Sequence, residues 1–344
     1  MTTLLVFAPG DGHTKHHHPE NHERTAALGR ALDGSGLMAD LRHVMPVSAT
    51  TVQLQRVHTP ELIGYVRQVS NRGGGLLDHG DTYATAQSYH LASLAVGGCC
   101  AAVDQILTGA AHNGFALIRP PGHHAETDRV SGFCLFNNVA AAARQAQVAH
   151  GAARVAIIDY DVHHGNGTQD IFYEDDTVLF VSLHLYAPYF YPGIGGMHEV
   201  GVGPGKGYTL NVPFPPYVGD YGYRLAFDEL IGPRLRQFRP DILLVSAGFD
   251  AHWQDPLAMA GLSLTGYAQI TRKLLSYADE LCAGRILFVL EGGYQLEVLS
   301  LGVLNVLHAL LGRDIIYDPF GPMRQPEYDV TPLIERLKRH YLSK

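Results

Sequence analysis

Short apolar segments bounded by Gly and Pro recur along this 344-residue chain and alternate with longer Ala- and Leu-rich segments of helical period. The apolar segments are LLVFA, GFALIRPPG, RVAIIDYDVH, TVLFVSLHL, YTLNVPF, DILLVSAGFD and RILFVLEGGY. Strands that are apolar along their whole length, with helices between them, are typical of a parallel sheet covered on both faces. We therefore predict an α/β fold in which a central parallel β-sheet is flanked by α-helices on both faces.

The helical period predicts five long helices, over residues 86–109, 137–150, 221–238, 265–283 and 296–311. No repeat or low-complexity linker interrupts the pattern, so we expect a single domain over residues 1–344. The glycine run at 71–78 lacks the Lys-Ser/Thr pair of a phosphate-binding loop, and we interpret it as a mobile loop. The Pro-rich tail from residue 318 is expected to cross the surface and end in a short helix.

Composition and charge argue against several classes of protein. The chain is 46% hydrophobic, which is enough for a sizeable core, and it has a formal net charge of -8 without a block of Lys or Arg. That charge argues against direct nucleic-acid binding. We found no basic segment followed by a long apolar stretch and no apolar window suited to a bilayer, so we expect a cytoplasmic protein with no membrane partner.

Two residue types are unevenly distributed. The four cysteines lack metal-binding spacing and are expected in the core, in a reducing compartment; they are Cys99, Cys100, Cys134 and Cys282. The chain has 20 histidines, and His16 and His17 are interpreted as a solvated loop.

Polar side chains follow four of the apolar segments, at the points where the strands are expected to end. They are His123 and His124, then Asp161, His163 and His164, then Asp250 and His252, and finally Glu291 and Tyr294. In open α/β sheets, ligands bind beyond the carboxyl ends of the strands. We therefore expect these four groups to converge on one site.

The segment DYDVHH indicates a metal site. Because side chains alternate along a strand, Asp159, Asp161 and His163 share one side. Carboxylates that lie together with little water need protons or cations. A divalent metal on Asp161 and His163, with Asp250 from a neighbouring strand end, would offset this charge. Three such ligands leave a coordination position for water or a carbonyl, as in catalytic zinc sites.

The remaining groups fit acid–base chemistry. His123 and His124 can take up and return a proton near neutral pH, and Asp159 can orient one of the two rings. Tyr294 follows two glycines that allow a tight backbone path, so its hydroxyl can reach an oxyanion. A Gly-x-Ser-x-Gly nucleophile motif is missing from the sequence. The combination predicts metal-assisted hydrolysis of an amide or related acyl bond.

Seven segments, in order along the chain, resemble the zinc-dependent histone deacetylase family, in its class II-like branch with bacterial deacetylase-like amidohydrolases and acetylpolyamine amidohydrolases. They are HPENHER, RPPGHHA, GFCLFNN, DYDVHHGNGTQ, VSLH, AGFDAHWQDPLA and LEGGY, and they extend from His18 to Tyr294. The resemblance implies the arginase/deacetylase fold. It also implies one Zn²⁺ per chain, bound by Asp161, His163 and Asp250.

The same resemblance implies roles for the acid–base groups. His124 would be the general base and then the general acid, while His123, paired with Asp159, supports the transition state electrostatically. Tyr294 would polarise the scissile carbonyl. Asn166 stands where class I members have an Asp behind the second histidine, so we expect a lower pKa for His124 and a neutral base at pH 7.

The resemblance further implies one or two structural potassium ions. The residues at the first site would be Asp159 and Ser182, with main-chain carbonyls of Asp161, His163 and Leu183. A second monovalent site would match Phe172, Asp175, Val178 and Tyr208, mostly through the backbone.

A substrate tunnel is also implied. Phe133 and Tyr191 would form its walls, with Tyr191 at a position where Phe is usual. The Gly132 carbonyl would receive the substrate side-chain amide, and Asp81 would hold the substrate backbone at the rim. Leu257 stands where a polyamine-selective relative has an acidic residue, which favours acyl-lysine. Charge reaching the rim from Glu20, Asp81 or Glu199 would still allow a small cationic amine.

Four further residues complete the expectations. Arg24 is expected in a channel under the site, and the tunnel floor is expected near Arg24 and Met38. His184 and His252 are expected behind the ligands or at the rim. His252 occupies the place of the extra carboxylate that a dinuclear arginase-like site would need, so one metal is favoured.

The function favoured by these residues is zinc-dependent removal of acetyl or related acyl groups from the ε-amine of lysine. An amidohydrolase of acetylpolyamines or other small amides is the alternative. A catalytically dead acyl-lysine binding module is disfavoured, because the metal, acid–base and oxyanion residues are all retained. The acyl chain preferred (acetyl, longer acyl or lactyl), the natural substrate, zinc or ferrous iron as the metal, and assembly as a homo-oligomer are left open.

Overall fold

The computed structural model describes residues 2–342. Within this range the chain forms ten strands and eleven α-helices. The strands are β1 (Thr3–Ala8), β2 (Arg42–Val44), β3 (Gly74–Leu76), β4 (Tyr83–Thr85), β5 (Asn113–Ile118), β6 (Val155–Asp159), β7 (Val178–Leu185), β8 (Thr209–Phe214), β9 (Ile242–Ala247) and β10 (Ile286–Leu290). The helices are α1 (Glu23–Ser35), α2 (Thr51–Gln55), α3 (Pro60–Asn71), α4 (Ser88–Leu107), α5 (Asn138–His150), α6 (Asn166–Phe172), α7 (Asp220–Ala226), α8 (Gly232–Phe238), α9 (Leu264–Cys282), α10 (Leu296–Leu310) and α11 (Thr331–Tyr341).

Eight strands form one parallel sheet in the order β2-β1-β5-β10-β9-β6-β7-β8. Seven of them are the seven apolar segments of the sequence, and helices pack on both faces, so the predicted fold class is confirmed. The eighth, β2, is a short edge strand of sequence RHV that is too polar to stand out. The five long helices also form, although a π-helical turn at Phe227–Ile231 separates α7 from α8.

The two faces of the sheet bury alternate residues of each strand. Ile158 on β6 belongs to one hydrophobic cluster with Phe288, and Ile157 belongs to a second cluster with Leu287. Tyr160 and Val162, just beyond β6, continue on the Ile158 side. The alternation predicted for the DYDVHH segment is therefore present, and it leaves Asp159, Asp161 and His163 on the other side.

The glycine run at 71–78 is not a mobile loop, and that interpretation was wrong. Gly74–Leu76 forms β3, which pairs antiparallel with β4. At Gly74 φ is +105°, and a Cβ would lie 2.3 Å from the carbonyl oxygen of Ala84. The glycine allows the two backbones to approach closely, a use of glycine that resembles a loop signal in sequence.

Helix α4, which was predicted as a helix, is long and apolar enough to cross a bilayer by length and composition alone, so the expectation that no apolar window is suited to a bilayer was wrong. Its buried residues, among them Val96, Cys99 and Val103, belong to the hydrophobic core. Burial against the sheet and α5 accounts for this apolar composition. All four cysteines are buried and free, as expected.

The sheet order places the polar groups side by side. β5, β10, β9 and β6 are consecutive in the sheet, and all four run in the same direction. The residue pairs Asp159↔Ser246 and Leu290↔Ala247 align the ends of β6, β9 and β10. The four groups of polar residues that follow these strands therefore meet at one edge of the sheet.

Candidate active site

Three side chains beyond β6 and β9 converge on one point. Asp161 and His163 follow β6, and Asp250 follows β9. Nδ1 of His163 lies 3.2 Å from Oδ1 of Asp161 and 3.2 Å from Oδ2 of Asp250. One donor atom from each residue lies within 4.8 Å of the other two. The structure thus brings together the three residues predicted to bind zinc.

The surroundings of this cluster suit a cation. Asp161 and Asp250 are fully buried, and among residues 2–342 their only ion-pair partners are histidines. Two buried carboxylates without a lysine or arginine need another source of positive charge. An Asp-His-Asp donor set that keeps further positions open matches a catalytic zinc centre.

Backbone groups orient both carboxylates. The N–H of Gly292 donates to Oδ2 of Asp161 over 2.8 Å, and the N–H of Val162 donates to Oδ1 of Asp250 over 2.9 Å. A Cβ on Gly292 would lie 2.2 Å from Oδ2 of Asp250. The glycine in EGGY is therefore required by the close approach of the backbone to the ligand cluster.

The charge state of His163 depends on the same carboxylates. Burial by itself lowers the pKa of His163. The hydrogen bonds and charges of Asp161 and Asp250 outweigh this effect and raise that pKa to about 10. A metal-ligating imidazole must be neutral, so metal binding has to release this proton.

His123 is held between two acidic side chains. Its Nδ1 lies 3.0 Å from Oδ2 of Asp159, and its backbone N–H donates to Oε2 of Glu291 over 3.1 Å. Burial by itself lowers the pKa of His123. The charges of Asp159, Asp161 and Glu291 outweigh this effect and raise that pKa to about 10. His123 is therefore the charged histidine of the pair.

His124 has the opposite character. Its ring centroid lies 4.0 Å from that of His123, and its Nδ1 lies 2.7 Å from Oδ1 of Asn166. Burial, together with the charges of His123 and His163, lowers the pKa of His124 well below its ordinary value. The pKa of His124 is lowered as expected, but the causes are burial and the two neighbouring histidines, and the hydrogen bond to Asn166 itself raises this pKa. Two adjacent histidines with pKa values shifted apart are suited to different roles.

Contacts with Asp255 and Arg24 hold Tyr294 in position. Its backbone N–H donates to Oδ2 of Asp255 over 2.8 Å, and the guanidinium of Arg24 lies 5.2 Å from its ring centroid. Arg24 is buried and donates to the carbonyls of Gly293 and Glu291 over 2.8 Å and 2.5 Å. Burial raises the pKa of the Tyr294 phenol well above its ordinary value, so its hydroxyl stays a donor at neutral pH.

A cavity of about 360 Å³ opens above these groups. Its floor is formed by His123, His124, His163 and Tyr294, and Gly132, Phe133 and Tyr191 line it as predicted. The Tyr191 ring stands edge-on to His124, with 5.0 Å between centroids. Asp81 and Leu257 also line the cavity, so all five predicted substrate contacts border the same space.

Three residues of this site were missed in the sequence. Phe190 stacks on His163 with 5.0 Å between centroids and an interplanar angle of 6°, and Tyr189 is fully exposed beside the cavity. Asp255 accepts hydrogen bonds from the backbone of both Leu257 and Tyr294, so it connects the rim of the cavity to Tyr294. In the sequence, the Asp-Pro pair at 255–256 could have indicated Asp255, and the YFYP segment at 189–192 could have indicated Tyr189 and Phe190.

Two carboxylates expected to supply charge at the rim do not do so. Glu20 is buried, and it pairs with Arg119 and Arg24. Glu199 accepts hydrogen bonds from the backbone of Gly195 and Gly196 and from Gln169. Both carboxylates are therefore engaged in structural contacts. Of the three acidic residues considered for the rim, Asp81 alone lines the cavity.

The residues predicted to bind monovalent ions lie on, or directly next to, α6, β6, β7 and β8. Asp159 and Ser182 are register partners on β6 and β7, and Leu183 follows Ser182 on the same strand. At the second predicted site, Phe172 ends α6, Val178 begins β7, and Tyr208 precedes β8. Asp175 is already paired with Arg144 over 2.6 Å, so any ion there would depend on backbone oxygens.

Three remaining expectations have different outcomes. His184 is buried; its Nε2 donates to the carbonyl of Gly195 over 2.9 Å, and its Nδ1 lies 2.9 Å from Oγ of Ser182. His252 is also buried, next to Trp253 and Phe320, and neither histidine is among the residues that line the cavity. Met38 packs against the core and, like Arg24, is not among the residues that line the cavity; Arg24 contacts the Tyr294 ring at the floor, and the position of the floor near Met38 stays a prediction.

Comparisons with known proteins agree with this geometry. The family model "Histone deacetylase domain" matches residues 18–310. A "Probable deacetylase" of Archaeoglobus fulgidus is 38% identical over 100% of this chain and 94% of its own length. The "Histone deacetylase-like amidohydrolase" of Pseudomonas aeruginosa is 39% identical over 90% of this chain and 82% of its own.

A plant protein and a crystal structure extend the likeness. "Histone deacetylase 10, chloroplastic" of Oryza sativa subsp. japonica is 40% identical over 97% of this chain and 80% of its own length. The crystal structure of the "HDA15 HD domain" superposes with a TM-score of 0.91 at 38% identity, covering 99% of this chain and 96% of that one.

Proposed function

Because this chain belongs to the histone deacetylase family, we propose that it is a zinc-dependent hydrolase that removes acetyl or related acyl groups from the ε-amine of lysine. The observation that supports this most strongly is the floor of the cavity. There, His163 of the Asp-His-Asp cluster, a neutral His124 and a protonated Tyr294 border the same aromatic-walled space. When bound by Asp161, His163 and Asp250, a Zn²⁺ ion would supply Lewis acidity toward the carbonyl and water.

His124 carries the proton transfers in this proposal. Its lowered pKa keeps the imidazole neutral at pH 7, so it accepts the proton that the attacking water loses. The same nitrogen then returns that proton to the departing lysine amine, and the acyl group leaves as a carboxylate. His123, kept charged by Asp159, adds a fixed positive charge beside the reaction.

Tyr294 stabilises the oxyanion that develops on the acyl carbonyl. Its raised pKa keeps the O–H available as a donor. The contacts with Arg24 and Asp255 hold the ring in place before substrate arrives. A donor positioned in advance in a site that excludes water is worth more than the same donor in water.

The walls support an acylated alkyl amine as substrate. Phe133, Phe190 and Tyr191 flank the cavity and can cover a lysine stem by apolar contact. Since Glu20 and Glu199 are engaged elsewhere, Asp81 is the one of the three acidic residues considered for the rim that lines the cavity and could attract a polyamine. An acetyl-lysine peptide should therefore be turned over faster than acetylspermidine, which kcat/KM values for a panel of acylated peptides and polyamines would measure.

A charge at Leu257 should alter this preference. Leu257 lines the cavity and is 37% exposed, so Leu257→Glu places a carboxylate at the entrance. Because an exposed charge pair contributes up to about 1 kcal/mol, we expect the kcat/KM of acetylspermidine relative to the peptide to rise about fivefold. Met259→Glu is the matched control, since Met259 is also exposed but does not line the cavity. An equal shift in both variants would contradict a role for position 257.

The pH profile should reflect the lowered pKa of His124. A general base must be unprotonated, so activity is lost only as pH falls through its pKa. Since burial and neighbouring charges lower the pKa of His124 below the ordinary 6.5, the acid limb of kcat/KM should lie below pH 6.5. Metal content measured at each pH separates protonation from metal loss. An acid limb above pH 7 with metal retained would contradict the assignment.

Potassium belongs to the same proposal. Asp159 and Ser182 lie side by side on β6 and β7, and a monovalent cation there would offset the charge that Asp159 adds. Support for this ion comes from the resemblance and from the burial of Asp159.

A further inference from the structure

Glu126 lies two residues after the proposed general base, outside the set of residues assigned a role above. Its Oε1 accepts a hydrogen bond from Nδ2 of Asn166 over 2.7 Å. Both of its carboxylate oxygens also accept from Nη2 of Arg129 over 2.7 Å. Asn166 in turn meets Nδ1 of His124 through Oδ1, over 2.7 Å. The three side chains Glu126, Asn166 and His124 form a continuous chain of hydrogen bonds.

The chemistry of a carboxylate fixes the direction of this chain. Glu126 acts only as an acceptor in its contacts with Arg129, so the atom of Asn166 that faces it must be the NH₂ group. The amide oxygen of Asn166 must then face His124. An oxygen can only accept, so Nδ1 of His124 must carry the hydrogen. The tautomer of His124 is therefore set by a residue that the ring does not touch.

We propose that Glu126 is a positioning residue that fixes the tautomer of His124 through the amide of Asn166. With hydrogen on Nδ1, the free electron pair of the ring lies on Nε2. Nε2 makes no hydrogen bond to another side chain or backbone group within residues 2–342 and is left for the cavity. This inference rests on the proposed function for its catalytic consequence, because only a base in that tautomer can accept the proton of an attacking water.

The alternative orientation explains why a directing group is needed. A neutral asparagine can present either its oxygen or its NH₂ to His124, since the two ends have the same shape. With NH₂ toward the ring, Nδ1 would have to accept, and the hydrogen would move to Nε2. That tautomer faces the cavity with a donor in place of a base. An aspartate at 166 would need no such help, because both of its oxygens accept.

Local packing keeps the chain of hydrogen bonds intact. His124 and Asn166 are 4% and 5% exposed, and the side chain of Glu126 is 12% exposed. A Cβ on Gly167 would lie 2.3 Å from the carbonyl oxygen of Ala125, so the first turn of α6 packs directly on the backbone after His124. Little water competes for these groups, and Asn166 keeps its distance from both neighbours.

The first test is Glu126→Gln, which has the same shape but can both donate and accept. Asn166 is then free to adopt both orientations, and the fraction of His124 in the competent tautomer falls. We expect kcat for an acetyl-lysine peptide to drop about two- to fivefold, with KM unchanged, because turnover scales with the competent fraction. Asp128→Asn is the matched control: it makes the same chemical change at an exposed position two residues further along the same loop, and its kcat should equal that of the wild type.

The second test restores the direction by other means. In the double variant Glu126→Gln, Asn166→Asp, the aspartate accepts from both His124 and the glutamine side chain introduced at position 126, so the hydrogen on Nδ1 is again required. Asn166→Asp alone places two carboxylates against each other where the present contact is 2.7 Å. We therefore expect the double variant to exceed both single variants in kcat. A double variant less active than Glu126→Gln would overturn the proposal.

The third readout is independent of activity. Long-range ¹H–¹⁵N correlation spectra of ¹⁵N-histidine-labelled protein distinguish the two neutral tautomers, and a His124→Gln spectrum assigns the signals. The wild type should show hydrogen on Nδ1 of His124, and Glu126→Gln should show a second population with hydrogen on Nε2. A single unchanged tautomer in Glu126→Gln would overturn the proposal even in an active enzyme. Lack of deacylation in the wild type would contradict the proposed function instead, while the spectra still test the tautomer.

Discussion

Removal of the metal by a chelator should abolish hydrolysis of acylated lysine, and Zn²⁺ added back should restore it. The Lewis acid is then missing, and the buried carboxylates Asp161 and Asp250 are left with histidines as their only charged partners among residues 2–342. Changing groups that merely orient metal ligands costs about 10- to 100-fold, so loss of the ion should exceed about 100-fold. Initial rates with an acetyl-lysine peptide, measured together with metal content, test this directly.

Substitution of one proposed metal-binding residue tests the need for the metal without a chelator. Asp250→Asn keeps the shape of the side chain but removes a charge that lies 3.2 Å from His163. We expect metal content and kcat to fall together. Asp176→Asn removes an exposed carboxylate on the surface and is the matched control. Full activity of the chelated enzyme, with metal shown to be absent, would rule out the proposed mechanism.

Thermal unfolding tests metal binding at the same site independently of activity. An ion that binds the folded chain stabilises it by mass action, and here it also separates buried negative charges. The unfolding temperature of the wild type should therefore rise when Zn²⁺ is added to the metal-free protein. The Asp250→Asn variant should show a smaller rise, and the Asp176→Asn variant the full rise.

Tyr294→Phe should lower kcat for an acetyl-lysine peptide by about 100- to 1,000-fold, the usual cost of losing one oxyanion donor. The ring itself remains, so its contacts with Arg24 and Phe133 persist, and the backbone bond to Asp255 is unaffected. We therefore expect unchanged thermal stability and metal content. The effect should appear in kcat, since the oxyanion forms only in the transition state.

The control for this variant is Tyr317→Phe, which removes a hydroxyl from an exposed tyrosine outside the cavity. It should retain wild-type kcat. If Tyr294→Phe also retained wild-type kcat, the hydroxyl would have no part in catalysis, and a backbone donor such as the N–H of Gly293 would have to be considered for the oxyanion.

The architecture could be predicted because its signals are local. Seven strands of the main sheet are buried on both faces, so each is a continuous apolar segment. The elements that were missed have weak local signals: β2 is three residues of an exposed edge, and β3 is mostly glycine. Helix α6 begins inside the histidine motif itself, where Asn166 and Gly167 look like loop residues.

Much of the candidate site was predictable for a related reason. Parallel strands end at one edge of the sheet, so polar residues that follow several buried strands must lie near one another. The pairing of His123 with Asp159 and the convergence of Asp161, His163 and Asp250 both follow from that rule. The sequence could not state that β9 lies next to β6, which is a matter of strand order and is decided by the packing of whole layers.

The amino-acid sequence by itself thus determined the fold class, the groups gathered at one sheet edge and the chemistry those groups can support. The tertiary structure alone decided which charges remain free. It buries Glu20 against Arg119, engages Glu199 with backbone amides and leaves Asp81 at the cavity. It also places Glu126 where it can orient Asn166. These outcomes depend on distances of a few ångströms between residues far apart in the chain, and local periodicity carries no information about such distances.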